Sequence, residues 1–141
     1  MDIGTGSGKY AKLIGGRGLS ITGVEINKEY IDRFKLGSLY DYLLVQDAST
    51  YFPNEVYDLV IFGDVLEHLL KSDGLNLLHF WMYKCKWLYL VVPVGYVQNV
   101  ADNAESHISC WSIEEFSLFP TDTIIEQKED KLRIIMKGYI K

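Results

Sequence analysis

The chain has little of what would place it among disulfide-rich, secreted or membrane proteins. Its two cysteines, Cys85 and Cys110, are too few and too isolated for a disulfide framework or a zinc site. We expect each to be a small buried side chain in a reducing, cytoplasmic protein. No apolar run approaches the roughly 18 residues that a membrane span needs. The N-terminus shows no charged segment followed by an apolar stretch, so no signal peptide is predicted.

Basic residues are also scarce relative to acidic ones. The 14 Lys and Arg against 19 Asp and Glu leave a net charge of −5. A general nucleic-acid binder or a protein of anionic membranes would present a basic face, so we expect neither partner. The 141 residues predict one domain over residues 1–141 that is large enough for a core.

Glycine stands at every second position near the start, at Gly4, Gly6 and Gly8. A backbone without Cβ atoms can turn tightly out of a strand and let a ligand approach closely. A helical segment follows, and free N–H groups at a helix start favour anions. Glu25 ends the next apolar run, where doubly wound folds place an acid for ribose hydroxyls. The spacing predicts a nucleoside site.

The glycine loop has other interpretations. A phosphate-binding P-loop is excluded because Gly8-Lys9 is followed by Tyr10 rather than Ser or Thr. The spacing Gly-x-Gly-x-Gly is one residue short of the dinucleotide fingerprint, which weakens a nicotinamide-dependent oxidoreductase. A glycine-rich turn without a ligand stays open.

Apolar strand-like runs alternate with helical segments, which predicts a parallel sheet covered by helices. Asn27 is predicted to cap a helix, and Ser112 with Glu115 has the pattern of a capping box that starts a short helix. Two strand-like runs at the end, 123–128 and 132–140 around a turn at 129–131, predict an antiparallel hairpin. The earlier strand-like runs are 21–25, 43–45, 57–62 and 88–92. One apolar helical stripe consists of Leu75, Leu78, Trp81, Met82 and Cys85.

Three segments together resemble the class I S-adenosylmethionine-dependent methyltransferases. Residues 2–8 (Asp-Ile-Gly-Thr-Gly-Ser-Gly) are similar to the first motif of that family. Residues 63–69 (Gly-Asp-Val-Leu-Glu-His-Leu) resemble the segment after strand four in small-molecule members, and residues 105–112 the acidic-His-Trp stretch after strand five. The resemblance implies a Rossmann-like, doubly wound, mostly parallel seven-stranded α/β sheet with a terminal antiparallel hairpin, and S-adenosylmethionine as cofactor.

The resemblance also implies roles for single residues. Gly4 and Gly6 would let the loop meet the methionine and ribose parts of the cofactor, and Glu25 would accept both ribose hydroxyls. Asp47, with the Ala48 backbone, would take the adenine amino group. The implied cofactor-binding positions are Asp2, Gly4, Gly6, Glu25, Ile26, Asp47, Ala48, Gly63, Asp64 and Val65.

Asp2 would orient the loop or accept from the cofactor's ammonium through water. Gly63 and Asp64 would face the methionine end, with Val65 lining the pocket. Asp47 and Asp64 could instead cap the elements that follow them, and this structural alternative stays open.

Methyl transfer needs a general base only where the acceptor is a protonated hydroxyl or amine. His68 and His107 are the candidate catalytic residues, because histidine titrates near neutral pH. A helix position for His68 and a loop hydrogen bond for His107 are the alternatives. No metal site is predicted.

We expect a small-molecule or glycan acceptor. Asp64 is followed by Val65 and Leu66 rather than by the paired prolines of methyltransferases that modify exocyclic base nitrogens. An apolar acceptor wall could come from Tyr96, Trp111 and Phe116, which could equally close the core.

One departure from the family concerns the first strand, because only residues 1–3 precede the glycine loop. This predicts a truncated strand, impaired turnover and a possible homodimer. A non-catalytic methyltransferase-like binding module is therefore the alternative to an active methyltransferase.

Overall fold

The computed structural model describes residues 1–95 and 106–140. By its internal contacts the chain divides into two compact units, Met1–Phe52 and Pro53–Lys141, called here the first and second units. The first unit contains three parallel strands in the order β3-β2-β1. Its elements are β1 (Asp2–Ile3), α1 (Lys9–Ile14), β2 (Thr22–Glu25), α2 (Lys28–Arg33), β3 (Tyr42–Val45) and two 3-10 turns, Leu36–Ser38 and Ala48–Thr50.

The core of the first unit forms around four buried apolar side chains. These are Ala11, Ile21, Leu36 and Tyr40, against which Ile31 and Phe34 of the α2 region pack. The predicted cap of α2 is confirmed, because the Asn27 side chain accepts hydrogen bonds from the backbone N–H groups of Glu29 and Tyr30. The cap fixes where α2 begins after β2, so that Glu25 stays at the strand end.

The second unit carries the remaining strands in the order β4-β5-β7-β6. Strands β4 and β5 are parallel, whereas β7 runs antiparallel to both β5 and β6. Its elements are β4 (Tyr57–Gly63), a 3-10 turn (Leu66–His68), α3 (Lys71–Met82), β5 (Cys85–Pro93), α4 (Ile113–Ser117), β6 (Thr123–Lys128) and β7 (Lys131–Lys137). The predicted Rossmann-like, mostly parallel seven-stranded sheet with a terminal hairpin is confirmed.

The core of the second unit is built from α3 and the strands. Leu78 and Trp81 of α3 are fully buried, and the Trp81 ring lies edge-on to Phe62 of β4 with 6.4 Å between centroids. The predicted capping box at α4 is confirmed, with the Ser112 N–H donating to Glu115 Oε2 at 2.7 Å. Burial of these large side chains supplies the main stabilisation of this unit.

The predicted helical stripe is wrong at its last member, Cys85. Helix α3 ends at Met82, and the N–H of Tyr83 closes a tighter turn onto the Phe80 carbonyl oxygen. Cys85 is instead the first residue of β5, where it pairs with Tyr57. A buried apolar run with helical spacing does not by itself mark the helix end.

Two smaller expectations are also corrected. Cys110 was expected to be buried but is exposed, because it alternates with the buried side chains of Ser109 and Trp111 along an extended segment. The hairpin turn is shorter than predicted: Lys131 already pairs with Lys128, and Glu129 takes a left-handed φ of 57°. Within the described part of the chain, no helix is long and apolar enough to cross a bilayer.

Gly74, inside α3, tests how tightly the second unit is packed. A Cβ at this position would lie 2.7 Å from Cζ2 of the buried Trp111 ring. In an isolated helix, Gly→Ala would stabilise the helix by about 1 kcal/mol. Forcing a methyl group into a packed core instead destabilises the fold by about 1–3 kcal/mol. We therefore expect Gly74→Ala to lower the free energy of unfolding by about 1 kcal/mol, measured by urea denaturation.

The matched control is Gly37→Ala, because a Cβ on Gly37 would meet no described atom within 4 Å. This variant should not lose stability. A Gly74→Ala protein as stable as the wild type would contradict the close packing of α3 against Trp111.

Candidate functional site

The glycine loop leaves β1 in a left-handed conformation that only glycine adopts without strain. Gly4, Gly6 and Gly8 have φ values of 68°, 51° and 73°. The N–H groups of Gly4 and Thr5 both donate to the carbonyl oxygen of Val24, at 2.8 and 3.2 Å. The loop is therefore anchored to the end of β2, next to Glu25.

Glu25 is the residue that organises this loop. Its carboxylate is buried, with 5% of the residue exposed. Oε2 accepts hydrogen bonds from the Gly6 N–H at 2.8 Å and the Thr5 hydroxyl at 3.1 Å, and Oε1 accepts from the Asn27 N–H at 2.9 Å. A carboxylate offers about four lone-pair sites, so three described donors leave capacity for a further one.

Asp2 lies in β1, directly before the loop, and is fully buried. Its Oδ2 accepts a hydrogen bond from the Tyr40 hydroxyl at 2.5 Å, whereas Oδ1 accepts none from the described residues. Burial raises the pKa of Asp2 to about 6, opposed by the Tyr40 hydrogen bond and assisted by the negative charge of Glu25. Asp2 is therefore coupled electrostatically to Glu25.

Asp47 follows β3, the strand that pairs with β2. It caps the next 3-10 turn, because Oδ1 accepts from the Ser49 N–H at 2.8 Å and from the Ser49 hydroxyl at 2.7 Å. Its side chain is exposed, Ala48 is half-buried, and Ile26 next to Glu25 is 54% exposed. The capping role left open for Asp47 is present, and it uses Oδ1.

Gly63, Asp64 and Val65 belong to the second unit, at the end of β4. Asp64 has a left-handed φ of 59°, which is uncommon for a residue with a side chain. It forms an ion pair with Lys131 of β7, with 2.6 Å between Nζ and Oδ1. Val65 is buried. The capping alternative for Asp64 is replaced by an ion pair that sequence reasoning missed.

Both candidate catalytic histidines lie together in the second unit. The rings of His68 and His107 meet edge-on with 4.9 Å between centroids. Nδ1 of His68 is 3.1 Å from the carbonyl oxygen of Ser106. Since a carbonyl only accepts, Nδ1 carries the proton and Nε2 keeps the lone pair in neutral His68.

Glu67, which precedes His68 in the chain, has no role in the site predicted from the sequence. Only 1% of the residue is exposed, and neither carboxylate oxygen accepts a hydrogen bond from the described residues. Burial, with the nearby charge of Asp64, raises the pKa of Glu67 to about 8. The signal was available in the sequence, because Glu67 precedes His68 in the segment that carries the family resemblance.

Two of the aromatic residues considered for an acceptor wall are core residues. Trp111 and Phe116 are fully buried and stack on each other with 5.5 Å between centroids. The Trp111 Nε1–H donates to the Ser109 hydroxyl at 3.0 Å. Tyr96 and Glu105 lie outside the described residues.

Comparison with known proteins identifies the family. A family model described as "Methyltransferase domain" matches residues 1–79, which is more than half of the chain. The chain belongs to the methyltransferase-domain family. The predicted resemblance is therefore confirmed, and this is a methyltransferase enzyme domain. No curated protein matches it.

Solved structures share the fold of this methyltransferase domain. A protein from Pyrococcus horikoshii OT3 is 15% identical with a TM-score of 0.73, covering 97% of this chain and 80% of that one. DhpI in complex with SAH is 14% identical with a TM-score of 0.78, covering 97% and 74%. A SAM-dependent methyltransferase from Archaeoglobus fulgidus is 19% identical with a TM-score of 0.71, covering 97% and 84%. At these identities the likeness establishes the fold.

The buried Asp2 makes the stability of this methyltransferase domain depend on pH. Its pKa rises from 3.8 to about 6 on folding, so the folded protein holds this proton more tightly than the unfolded chain. The stabilisation is complete below about pH 4 and is lost as the pH rises through 6, an effect of about 3 kcal/mol. Asp2→Asn removes it.

We therefore expect the free energy of unfolding of Asp2→Asn, relative to the wild type, to increase by about 2–2.5 kcal/mol between pH 4 and pH 7. Urea denaturation at each pH measures it. Asp32→Asn, which removes an exposed carboxylate, is the matched control. A difference between Asp2→Asn and the wild type that is independent of pH would show that Asp2 titrates normally.

Proposed function

We propose that this methyltransferase domain binds S-adenosylmethionine at the glycine loop and transfers its methyl group to a small-molecule or glycan acceptor. The observation that carries the proposal is the buried Glu25 carboxylate bonded to the Gly6 N–H in a left-handed glycine loop. An acid at the tip of β2 beside such a loop is the arrangement that doubly wound folds use for a ribose. DhpI, which has this fold, was solved with SAH.

The ribose would bind at the remaining acceptor capacity of Glu25. One hydroxyl can donate to the carboxylate while the Gly6 and Asn27 N–H groups keep their bonds. The second ribose hydroxyl can donate to Glu25 only if it replaces the Thr5 hydroxyl. The Thr5 hydroxyl can rotate away, because it is a side-chain donor. A Cβ built on Gly6 would meet no described atom within 4 Å, so the loop borders open space for the ligand.

The adenine would lie beyond the ribose, towards β3. Ile26 presents an exposed apolar side chain on which a base can pack. Asp47 uses Oδ1 for its cap, so Oδ2 is suited to accept from the adenine amino group beside the Ala48 backbone. These contacts are those that the family resemblance assigns to the same positions.

The residues proposed to contact the methionine part of the cofactor come from the motifs of the family resemblance. Asp2 Oδ1, which accepts no hydrogen bond from the described residues, could accept from the cofactor's ammonium through water. Gly63, Asp64 and Val65 are the motif positions that the family resemblance gives to this end. Lys131, which forms an ion pair with Asp64, would compete with the cofactor's ammonium for the Asp64 carboxylate.

When bound, S-adenosylmethionine supplies a methyl group on a sulfonium, and the acceptor's lone pair forms the new bond as the sulfur leaves with the old bonding pair. The protein's task is to align the two reactants and exclude water. Where the acceptor carries a proton, an imidazole must take it. His68 is suited to this role because Nε2 keeps the lone pair, and His107 is its neighbour.

The cofactor proposal is tested by replacing Glu25 with Gln. Gln has one acceptor oxygen and no charge, so it cannot serve the loop and the ribose together. A hydrogen bond to a charged group contributes about 1.5–3 kcal/mol, so we expect at least tenfold weaker binding of S-adenosylmethionine and S-adenosylhomocysteine. Isothermal titration calorimetry of both ligands measures it.

Glu29→Gln is the matched control, because Glu29 is an exposed acid four positions along the chain. It should bind both ligands as the wild type does. Undiminished affinity in Glu25→Gln would remove Glu25 from the site. Binding of NAD in preference to both ligands would overturn the cofactor assignment.

A further inference from the structure

A second group of side chains in the second unit has the composition of a cation site. Glu67, His68 and His107 each offer one ligand atom, and these atoms lie within 4.8 Å of one another. Glu67 and His68 come from the 3-10 turn after β4, and His107 from the extended segment before α4. Residues 40 positions apart thus converge on one point.

The backbone holds this cluster in place. The carbonyl oxygen of Glu67 accepts hydrogen bonds from the N–H groups of Ile108 and Ser109, at 2.8 and 3.1 Å. The Ser109 hydroxyl donates to the carbonyl oxygen of Leu66 at 3.1 Å. The segment that carries His107 is therefore fastened to the turn that carries Glu67 and His68, and the ligands are preorganised.

The carboxylate of Glu67 is the observation that points to a missing ligand. It is 99% buried, and neither of its oxygens accepts a hydrogen bond from the described residues. The charge of Lys131 favours ionised Glu67 but does not outweigh its burial, and Lys131 forms its ion pair with Asp64. Burying a carboxylate without a partner costs several kcal/mol, so native structures almost always supply a donor or a cation.

His68 shows the orientation that metal ligands have in other proteins. A ligating imidazole usually donates its other N–H to a carbonyl or carboxylate, which fixes the tautomer. Nδ1 of His68 has such a partner in the Ser106 carbonyl oxygen, at 3.1 Å. Nε2 is then left as the nitrogen for a cation.

We propose that Glu67, His68 and His107 bind a divalent transition-metal cation of the zinc class. Two imidazoles and one carboxylate are a ligand set of catalytic zinc sites, which keep a fourth position open. Mg²⁺ and Ca²⁺ prefer sites made of oxygen atoms, and two of the three ligands here are nitrogen atoms. This site is distinct from the glycine loop and from the cofactor contacts proposed above.

The cation would change the chemistry of methyl transfer, and this consequence rests on the proposed function. With the cation bound, His68 and His107 are ligands rather than bases. A water or an acceptor hydroxyl at the open position would lose its proton more readily, because the cation stabilises the anion. Acceptors with a hydroxyl that can coordinate a metal are then favoured.

Isothermal titration calorimetry of the metal-free protein with Zn²⁺ tests the site. The wild type should bind one cation per chain. Removing a ligand should weaken binding at least about tenfold, so Glu67→Gln and His107→Ala should both lose affinity. His79→Ala removes the remaining histidine, which is exposed on α3, and should bind like the wild type.

Thermal unfolding separates a lost ligand from a damaged fold. At one Zn²⁺ concentration, the Tm of the wild type and of His79→Ala should rise more than that of Glu67→Gln or His107→Ala, because stabilisation follows the ratio of free cation to Kd. Without metal, Glu67→Gln should be at least as stable as the wild type, because Gln has nearly the same size and cannot carry a charge in the buried site. This variant carries the test even if His107→Ala does not fold.

Three results would overturn the site. They are no stoichiometric binding in the wild type, wild-type affinity in Glu67→Gln, and binding that Cys110→Ser abolishes but Glu67→Gln does not. Titration of the same protein with S-adenosylmethionine reports separately on the glycine loop, so the failure of one proposal is distinguishable from the failure of the other.

Discussion

The contact on which the first unit depends is the buried carboxylate of Glu25. It bonds the N–H of Gly6 on one side and the N–H of Asn27 on the other. One side chain therefore connects the glycine loop, the end of β2 and the start of α2. Because a charged acceptor strengthens each hydrogen bond, the left-handed loop is held in a shape that a flexible glycine segment would not keep alone.

Two further buried acids make the interior unusual for a domain of this size. Asp2 has one donor, Tyr40, and Glu67 has none among the described residues. Buried carboxylate oxygens without a donor lower stability, and the unbonded oxygens of these two acids are the reason for the ligands proposed at the two candidate sites. In the first unit the ligand we propose is a cationic nucleoside cofactor, and in the second a metal cation.

The sequence predicted the elements whose signals are local. Asn27 caps α2, Ser112 starts the α4 capping box, and the final hairpin lies where the two β-prone runs predict it. Prediction from the sequence failed where tertiary packing determines the boundary of an element. Cys85 fits a helical stripe but pairs in β5, because apolar spacing does not record where a buried helix ends.

The candidate cofactor site was also predicted only in part, because some of its contacts join residues that are far apart in the sequence. Glu25 and the glycine loop follow from spacing, and their hydrogen bonds agree with it. The roles of Tyr40 and Lys131 could not be found, because each reaches its acid across a distance of 38 or 67 residues. No local pattern encodes a partner so far along the chain.

A crystal structure of this domain with bound S-adenosylhomocysteine tests the central claim most directly. The account predicts a ribose hydroxyl about 2.5–3 Å from a carboxylate oxygen of Glu25, with the Gly6 and Asn27 bonds retained. A nucleoside bound elsewhere, with Glu25 bonded only to Thr5, Gly6 and Asn27 as in the free domain, would contradict it.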